Sequence, residues 1–547
     1  MQSILKRLFE PKSNPFEAAL LISKLLDVKI SATTLKKEIE EHPDFPSLLS
    51  ISDVFTTYGI ENEGVKIELD KFADIPCPYI AQLKGVKHRD SFFSVVKSFD
   101  LTQVTFFDPE KSQWCVSQKE KFLERCVGIV LLAEAGPRSG ERGYAQIRTR
   151  ERRKQLFQFL TLSFIPALAI LTGVLAFMTD GIGAMFPFLF TILVVAGIAV
   201  SSLLLWYEVD QHNPFLQQIC SSGKKTNCSA ILKSKASHVM GISWSVLGFS
   251  YFAGMFLLLF FGGITNSVTE SVCAWISGFA SVYIVFSVYY QWRIAKQWCL
   301  LCLSIQAILG LQLITAIAGG WYGMFHSSNL SLDWIIKAMV SFAISFFTIN
   351  FFLPALKKAK EANRLNTQLQ RLKHNPEIFE ALLSKQKYLS VSTAGLGITI
   401  GNPDAKNTLI KVCAPYCGPC SKAHPLIEDL LDNNSDVKLQ IIFNSYGHGY
   451  DTGAIPAKHL LAIAESGNEL MIRHALDDWY LPEEKNYEKF AVKYPLNGAV
   501  ERQVSKINAM RDWCDQTDIT STPTFFINGR ELPDKYTVAD LKYFLSV

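Results

Sequence analysis

At 547 residues the chain is longer than one hydrophobic core supports, so several domains are expected. A mean hydropathy of +0.17 and 38 Phe argue against a cytosolic enzyme and fit a membrane protein with soluble attachments. The formal net charge is only +4, with the basic residues gathered in two short stretches, which is a membrane-flank pattern and excludes a nucleic-acid surface. Twelve cysteines are too sparse for a disulfide scaffold, so each pair must be judged by its surroundings.

In chain order, Met1 to Phe9 lacks the apolar h-region of a signal peptide. Residues 1–135 have mixed soluble character: apolar spacing predicts helices at 16–26 and 46–58, and strands at Ser91–Ser98 and Leu101–Phe107 before a turn at Asp108-Pro109. Residues 136–154 form a basic linker holding Arg138, Arg142, Arg148, Arg150, Arg152, Arg153 and Lys154. Six apolar runs follow, at about 156–178, 184–206, 244–262, 272–292, 299–322 and 334–356, each near the length that crosses a bilayer. Trp206, Tyr207, Trp244, Trp292, Trp298 and Trp321 mark their ends as an interfacial belt would. Only Thr179-Asp180-Gly181 separates the first two runs, which predicts a tight hairpin. Residues 357–384 form a helical linker, with Ala362, Leu365, Leu369 and Leu372 on one face. From 385 to 547 the chain returns to soluble α/β character, with strands at Leu409–Val412, Lys438–Phe443 and from Thr524, and a long helical section over about 455–515.

Three cysteine pairs stand out on this framework: Cys220 with Cys228, Cys299 with Cys302, and Cys417 with Cys420. Cys417-Gly-Pro-Cys420 follows a predicted strand and opens a helix, where peptide dipoles and free N–H groups stabilise a thiolate. Cys417 is then the attacking thiol and Cys420 the resolving one. Thr522-Pro523, about a hundred residues on, precedes a strand and suggests a cis peptide beside which a substrate strand pairs. This combination resembles the thioredoxin fold, and the helical section between motif and proline resembles the Dsb-type periplasmic oxidoreductases. A structural zinc site on Cys413, Cys417 and Cys420 is the competing reading, which the strand–motif–helix context disfavours. Cys413 and Cys514 are read as buried packing residues.

Cys299-Leu-Leu-Cys302 opens the fifth apolar run just after Trp298, where a thiol can be reached from water and a carrier can approach from lipid. The sequence upstream carries Cys220 and Cys228 in one loop, Ser234 six residues later, and Gly241 leading into the next run. That arrangement resembles the vitamin K epoxide reductase family over about 184–356, whose bacterial members are commonly fused to a thioredoxin-like domain. The resemblance implies that Cys220 takes electrons from the Cys417/Cys420 pair, that Cys228 exchanges with Cys299, and that Cys302, with Ser234, faces a quinone (ubiquinone or menaquinone). Gln306 stands where some members carry a tyrosine, a departure from the pattern.

In the first domain, Asn14-Pro-Phe-Glu-Ala-Ala-Leu20, Pro46-Ser-Leu-Leu49, Tyr58-Gly59, Ser91 to Val96 and Asp108-Pro109 resemble the papain-like leader peptidases of peptide-exporting transporters. The nucleophile position falls near Pro15, with no cysteine close by, and His88 lies a few residues too early, although Asp108 is in place. The domain is therefore expected to be catalytically dead and to take a leader peptide, if any ligand. Cys77, Cys115 and Cys126 are expected to be structural.

The expected architecture is an α+β papain-like domain, a polytopic α-helical membrane bundle (six spans, a four-helix catalytic core from the second to the fifth, domain limits 155–356), and an α/β thioredoxin fold with a helical insertion. The expected activity is quinone-linked oxidation of client thiols, in proteins or peptides, at a bacterial inner membrane. Three other readings stay open: a reductase or isomerase on the same relay, a peptide-export accessory protein whose first domain binds or cleaves leader peptides, and a transporter or membrane-bound binding protein in which the cysteines are incidental. An even number of spans puts all three dithiols and both soluble domains on one side. Disulfide chemistry makes that side extracytoplasmic, whereas the basic stretches, including Lys357, Lys358 and Lys360, favour the cytoplasm.

Overall fold

The computed structural model describes residues 12–545 apart from 86–90, 138, 142, 212, 221–225, 227, 233, 324–331, 446–450 and 497. His88, Arg138 and Arg142 lie outside the described residues. The chain divides into two compact units, residues 1–17 with 142–366, and residues 18–141 with 367–547.

The amino-terminal region carries three helices, α1 (Asn14–Leu25), α2 (Ala32–Glu40) and α3 (Leu49–Thr57). Ser31 caps α2 by accepting the N–H of Thr34, satisfying one of the free donors of the first turn. Six strands follow, β1 (Ile60–Lys66), β2 (Tyr79–Lys84), β3 (Ser91–Phe99), β4 (Gln103–Asp108), β5 (Gln113–Gln118) and β6 (Cys126–Ala135), with the short α4 (Lys119–Leu123) between the last two. They form one antiparallel sheet in the order β1-β6-β2-β3-β4-β5, so the domain's last strand fills the gap between its first two. Phe72, Tyr79, Val96, Phe106, Phe122 and Val130 make its core.

In the apolar unit, α5 (Tyr144–Asp180) and α6 (Met185–Val209) are joined by a 3₁₀ turn at Gly181–Ala184. In a continuous helix residues 173 and 188 would stand roughly 22 Å apart. Here Phe188 packs on Gly173, and the Phe177 and Phe188 rings meet edge to face at 5.6 Å, so the chain folds back as the hairpin read from 179–181. The short α7 (Pro214–Cys220) and α8 (Cys228–Leu232) and a two-residue hairpin, β7 (His238–Val239) with β8 (Ile242–Ser243), lead to α9 (Trp244–Gly262), which Ser243 caps. The remaining apolar helices are α10 (Ser267–Tyr289), capped by Asn266 and extended by a π-helical turn at Tyr290–Ala295, α11 (Leu300–Ala318) and α12 (Leu332–Lys373). Five continuous helical stretches among the described residues are long and apolar enough to cross a membrane, the first being the folded-back pair α5–α6. The basic residues from Arg148 to Lys154 lie on the first turns of α5, and the segment 361–373 is the end of α12.

After α13 (Pro376–Leu383) comes a mixed sheet in the order β13-β12-β10-β11-β9, from β9 (Ile398–Gly401), β10 (Asn407–Cys413), β11 (Val437–Phe443), β12 (Thr524–Ile527) and β13 (Arg530–Glu531). The central pair β10–β11 is parallel and the others antiparallel. Helix α14 (Gly418–Asn433) crosses from β10 to β11. Four helices, α15 (Ala454–Ala464), α16 (Glu469–Tyr480), α17 (Tyr487–Lys493) and α18 (Val504–Gln516), fill the section between β11 and β12, and α19 (Lys542–Leu545) ends the described chain. The amino-terminal and carboxy-terminal domains share one unit: Glu38 on α2 takes Lys542 Nζ and the Tyr543 hydroxyl, each at 2.7 Å, and Arg371 Nε donates to the Glu40 carbonyl at 2.6 Å.

Candidate active sites: two dithiols in the apolar unit and one at a helix start

Cys417 stands at the N-cap of α14, with its sulfur accepting the Cys420 N–H at 3.3 Å. Gly-Pro between the cysteines suits the first turn, where a missing N–H costs nothing. Cys417 is half-buried and Cys420 fully buried, so Cys417 is the more accessible of the two sulfurs. The Thr522–Pro523 peptide is cis, and the Thr522 carbonyl lies 3.3 Å from Cys417 Sγ. The site thus brings together four residues that the sequence placed a hundred positions apart.

Beneath the pair lies a buried polar cluster that sequence reasoning missed. Lys411 on β10 is fully buried, with Nζ 3.4 Å from the Cys420 carbonyl and 4.4 Å from the Tyr480 ring centre. Cys413 Sγ lies 3.3 Å from the Tyr480 hydroxyl, so Cys413 packs against this cluster, while Cys514 is buried in the same core. His424 Nε2 pairs with Asp477 at 2.8 Å, and burial, then the Lys411 charge, hold its pKa down at about 4. Burial pushes the Cys420 thiol far above its usual range, with Cys413 and Cys417 adding to the effect. Lys485 Nζ donates to Ser421 Oγ at 2.7 Å on the exposed side. Burial lowers its pKa while the nearby thiols oppose that shift.

In the apolar unit, Cys220 and Cys228 are joined as a disulfide with Cα atoms 5.3 Å apart. Thr226, two residues before Cys228, bridges to Trp298, which sets this loop against the start of α11. Cys299 is the N-cap of α11, and its sulfur accepts the Cys302 N–H at 3.3 Å. The two sulfurs of Cys299 and Cys302 are 2.7 Å apart. Cys220, Cys228 and Cys299 belong to one buried apolar cluster, with Cys302 packed on it.

Cys302 also lines a cavity of about 200 Å³. Its walls are apolar and aromatic, including Phe252, Phe286, Trp244 and Leu309, with hydroxyls at Ser234, Tyr251, Tyr283 and Ser287. A flat apolar ring with polar carbonyls fits such walls, because the Tyr283 hydroxyl can orient it while the apolar surface buries it. Ser234 lines this wall, its hydroxyl donating to the Ile231 carbonyl at 2.7 Å.

Behind that wall runs a second network absent from the sequence reading. Gln291, in the π-helical turn, accepts the Cys299 N–H at 2.8 Å, which fixes its amide so that Nε2 donates to Ser287 Oγ at 3.2 Å. Gln306 Nε2 donates to the same oxygen at 2.5 Å, so the position read as a departure supports the wall from behind. Two incoming N–H groups leave the Ser287 hydroxyl hydrogen free to turn toward its neighbour Tyr283.

In the amino-terminal domain, Pro15 is buried in α1. Asp108 is buried and held by Arg125 at 3.3 Å, which also pairs with Glu110 at 3.3 Å. The carboxylate that would orient a catalytic histidine is thus committed to a guanidinium. Cys77 is exposed, Cys115 half-buried, and Cys126 buried with its thiol 3.4 Å from the Phe122 carbonyl.

Three parts of the chain match family models: the Peptidase C39 family over residues 18–138, the vitamin K epoxide reductase family over 188–317, and a thioredoxin family over 393–546. Among solved structures, the carboxy-terminal part is similar to oxidised BdbD from Bacillus subtilis (16% identity, 29% of this chain and 93% of that one, TM-score 0.23). It is likewise similar to the catalytic domain of Proteus mirabilis ScsC (17%, 30% and 95%, TM-score 0.24). The amino-terminal part is similar to the peptidase domain of Streptococcus ComA, a bifunctional ABC transporter involved in a quorum-sensing pathway (18%, 22% and 92%, TM-score 0.20). No curated protein matches the chain. The segments matching the vitamin K epoxide reductase and thioredoxin families carry the three cysteine pairs and support thiol–disulfide oxidoreductase chemistry.

Proposed function

We propose that the chain oxidises client dithiols and passes their electrons through Cys417/Cys420, Cys220/Cys228 and Cys299/Cys302 to a membrane quinone. The observation that carries this reading is the gathering of both apolar-unit pairs in one buried cluster, with Cys302 on the wall of a cavity suited to a quinone ring. A client thiolate attacks the Cys417–Cys420 disulfide, and its second thiol closes the client disulfide. Cys417 then attacks the Cys220–Cys228 disulfide at Cys220, and Cys420 resolves the mixed disulfide. Cys228 attacks the next pair at Cys299, Cys220 resolves, and Cys302 is released as a thiol beside the cavity. Each exchange conserves one disulfide and moves two electrons. Bound quinone, ubiquinone or menaquinone, supplies the two-electron, two-proton sink that lets the Cys299–Cys302 disulfide re-form. The Tyr283 hydroxyl, which receives the Ser287 hydrogen, would donate to a quinone carbonyl, Ser234 lines the same wall, and the apolar walls exclude water.

The domain limits follow from the same reading: 1–135 a degenerate peptidase-like module, 136–154 a basic segment, 155–356 the membrane relay, 357–384 a helical linker and 385–547 the client-facing domain. The six apolar helical segments return the chain to the side from which it entered. Thiol oxidation requires that side to be extracytoplasmic at a bacterial inner membrane. Contacts between Glu38 and Lys542–Tyr543 support a shared side for the two soluble domains. The amino-terminal module, with Asp108 occupied by Arg125, serves as a peptide-binding rather than peptide-cleaving element.

Trapping tests the relay. A Cys420→Ala variant should accumulate a mixed disulfide between Cys417 and Cys220, identified by mass spectrometry, and purified wild-type protein should reduce added quinone only when given a dithiol client. Quinone reduction that persists in Cys299→Ala or Cys302→Ala would defeat the proposal.

A further inference from the structure

Lys411 is an anomaly that the relay does not explain. It sits on the central strand β10, six residues before Cys417, and shares the strand face of Leu409 and Cys413 by the two-residue period. Its side chain is fully buried, yet among the described residues no carboxylate pairs with it. Its polar neighbours are the Cys420 carbonyl, 3.4 Å from Nζ, and the face of Tyr480. Asp477, which belongs to the same cluster, is engaged by His424. Of the other charged groups, Lys485 is a second cation over the same Tyr480 ring, and Arg473 is held by Glu428 and Asp432. A buried ammonium without an anion is costly, and a sequence retains one only where something compensates it. Cys413 Sγ lies 3.3 Å from the Tyr480 hydroxyl, and Cys417 and Cys420 also act on that hydroxyl electrostatically. Of these groups, the Cys417/Cys420 dithiol changes charge during the proposed cycle.

We infer that Lys411 is the counter-ion of the reduced Cys417/Cys420 pair, partnered when that pair carries a thiolate and unpartnered when its disulfide is closed, so that it biases the domain toward accepting electrons from clients. The inference rests on the relay proposed above and gives it a direction. In the step concerned, two client thiols lose two electrons and two protons and close a disulfide, while the Cys417–Cys420 bond breaks. One proton remains on Cys420, whose thiol is kept neutral by burial, the other leaves to water, and Cys417 retains the negative charge. Lys411 touches no substrate and acts as a positioning residue through the field it sets under α14.

The test uses full-length protein in detergent without quinone, poised in glutathione buffers, with the redox state of the Cys417/Cys420 peptide read by differential alkylation and mass spectrometry. Lys411→Met, which replaces a buried charge by an apolar chain of similar length, should shift the equilibrium toward the disulfide by tenfold or more, about 30 mV for a two-electron couple. The pH midpoint for Cys417 alkylation should rise in the same variant, and Lys411→Gln should behave likewise. An equilibrium within twofold of wild type and an unmoved alkylation midpoint, in variants with wild-type hydrogen-exchange protection of α14, would overturn the inference. Should either variant lose that protection, the remaining one decides. A wild-type pair inert to glutathione overturns both proposals, whereas an exchanging pair that fails to reduce quinone overturns the membrane relay alone.

Discussion

His424 lies on the buried face of α14 with Nε2 bonded to Asp477 and Nδ1 without a partner among the described residues. Its folded pKa, about 4 against an ordinary 6.5, means that the unfolded state binds an extra proton between those values. Stability contributed by the neutral ring is therefore complete above about pH 6.5, declines as the pH falls, and is gone below about 4. The amount at stake is on the order of 3 kcal/mol. Hydrogen-exchange protection of α14, corrected for intrinsic rates, should fall across that window in wild type and be flat in His424→Asn; equal slopes would show that the ring does not titrate there. In the membrane cavity the same reasoning applies to a hydroxyl. Tyr283 receives the end of a chain that starts at the Cys299 N–H and passes through Gln291 and Ser287. Removing its hydroxyl in Tyr283→Phe should cost about 1 kcal/mol, or roughly fivefold in quinone affinity, read by quenching of Trp244 fluorescence. Unchanged affinity would place the carbonyl contact elsewhere in the wall.

At the scale of elements, helix crossing depends on glycine where a ring must enter. A Cβ on Gly197 of α6 would run into the Phe252 ring of α9, and one on Gly254 would run into Phe342 of α12. Gly197→Leu should lower the melting temperature in detergent through about 1–3 kcal/mol of overpacking. Gly183→Ala, where an added methyl meets nothing within 4 Å, should be neutral. The comparison fails if both behave alike. These contacts also show what was legible beforehand. The apolar runs, the hairpin at 179–181, the strand before Cys417 and the helix after it are local patterns of length, period and punctuation, and the structure has them. The cysteine pairs were legible because their spacing and flanks carry the chemistry. Lys411 was not, because alternation along β10 cannot say that a lysine faces inward; it looks like one polar residue in an apolar strand. Gln291, Ser287 and Gln306 converge only through a π-helical turn and the packing of α10 on α11, which no period in the sequence reports. The edge strands β1 and β5 escaped for a related reason, since their exposed, polar residues obtain strand geometry from partners distant in the chain.

For the whole molecule, charge and chemistry give opposite answers about orientation, and the soluble unit bears on which prevails. Glu38 is buried between Lys542 and Tyr543, and Asp540 is held well below the usual carboxylate range, burial being outweighed by hydrogen bonds from His374, Lys373 and Thr537. Arg371, stacked 4.2 Å over Phe45, adds a contact from the end of α12 to the amino-terminal domain. On the proposed topology, domains joined in this way share one face of the bilayer, which requires an even number of crossings between them. That proposed topology puts the basic first turns of α5 on the same side as the dithiols, against the positive-inside tendency. That tendency governs short loops more than whole domains, so the proposed orientation follows the redox argument. Single cysteines at exposed Asp70 and Asp404, labelled with a membrane-impermeant maleimide on intact spheroplasts, should react to the same extent and without lysis. Reaction of Asp404→Cys alone would place an odd number of crossings between the domains and remove the Glu38 contact from the native protein. Protection of both until lysis would put the dithiols in the cytoplasm, where the oxidising direction of the relay could not be sustained. Glu38→Lys, which sets like charges face to face with Lys542, should raise hydrogen exchange in α2 and α19 together if the contact holds the unit closed.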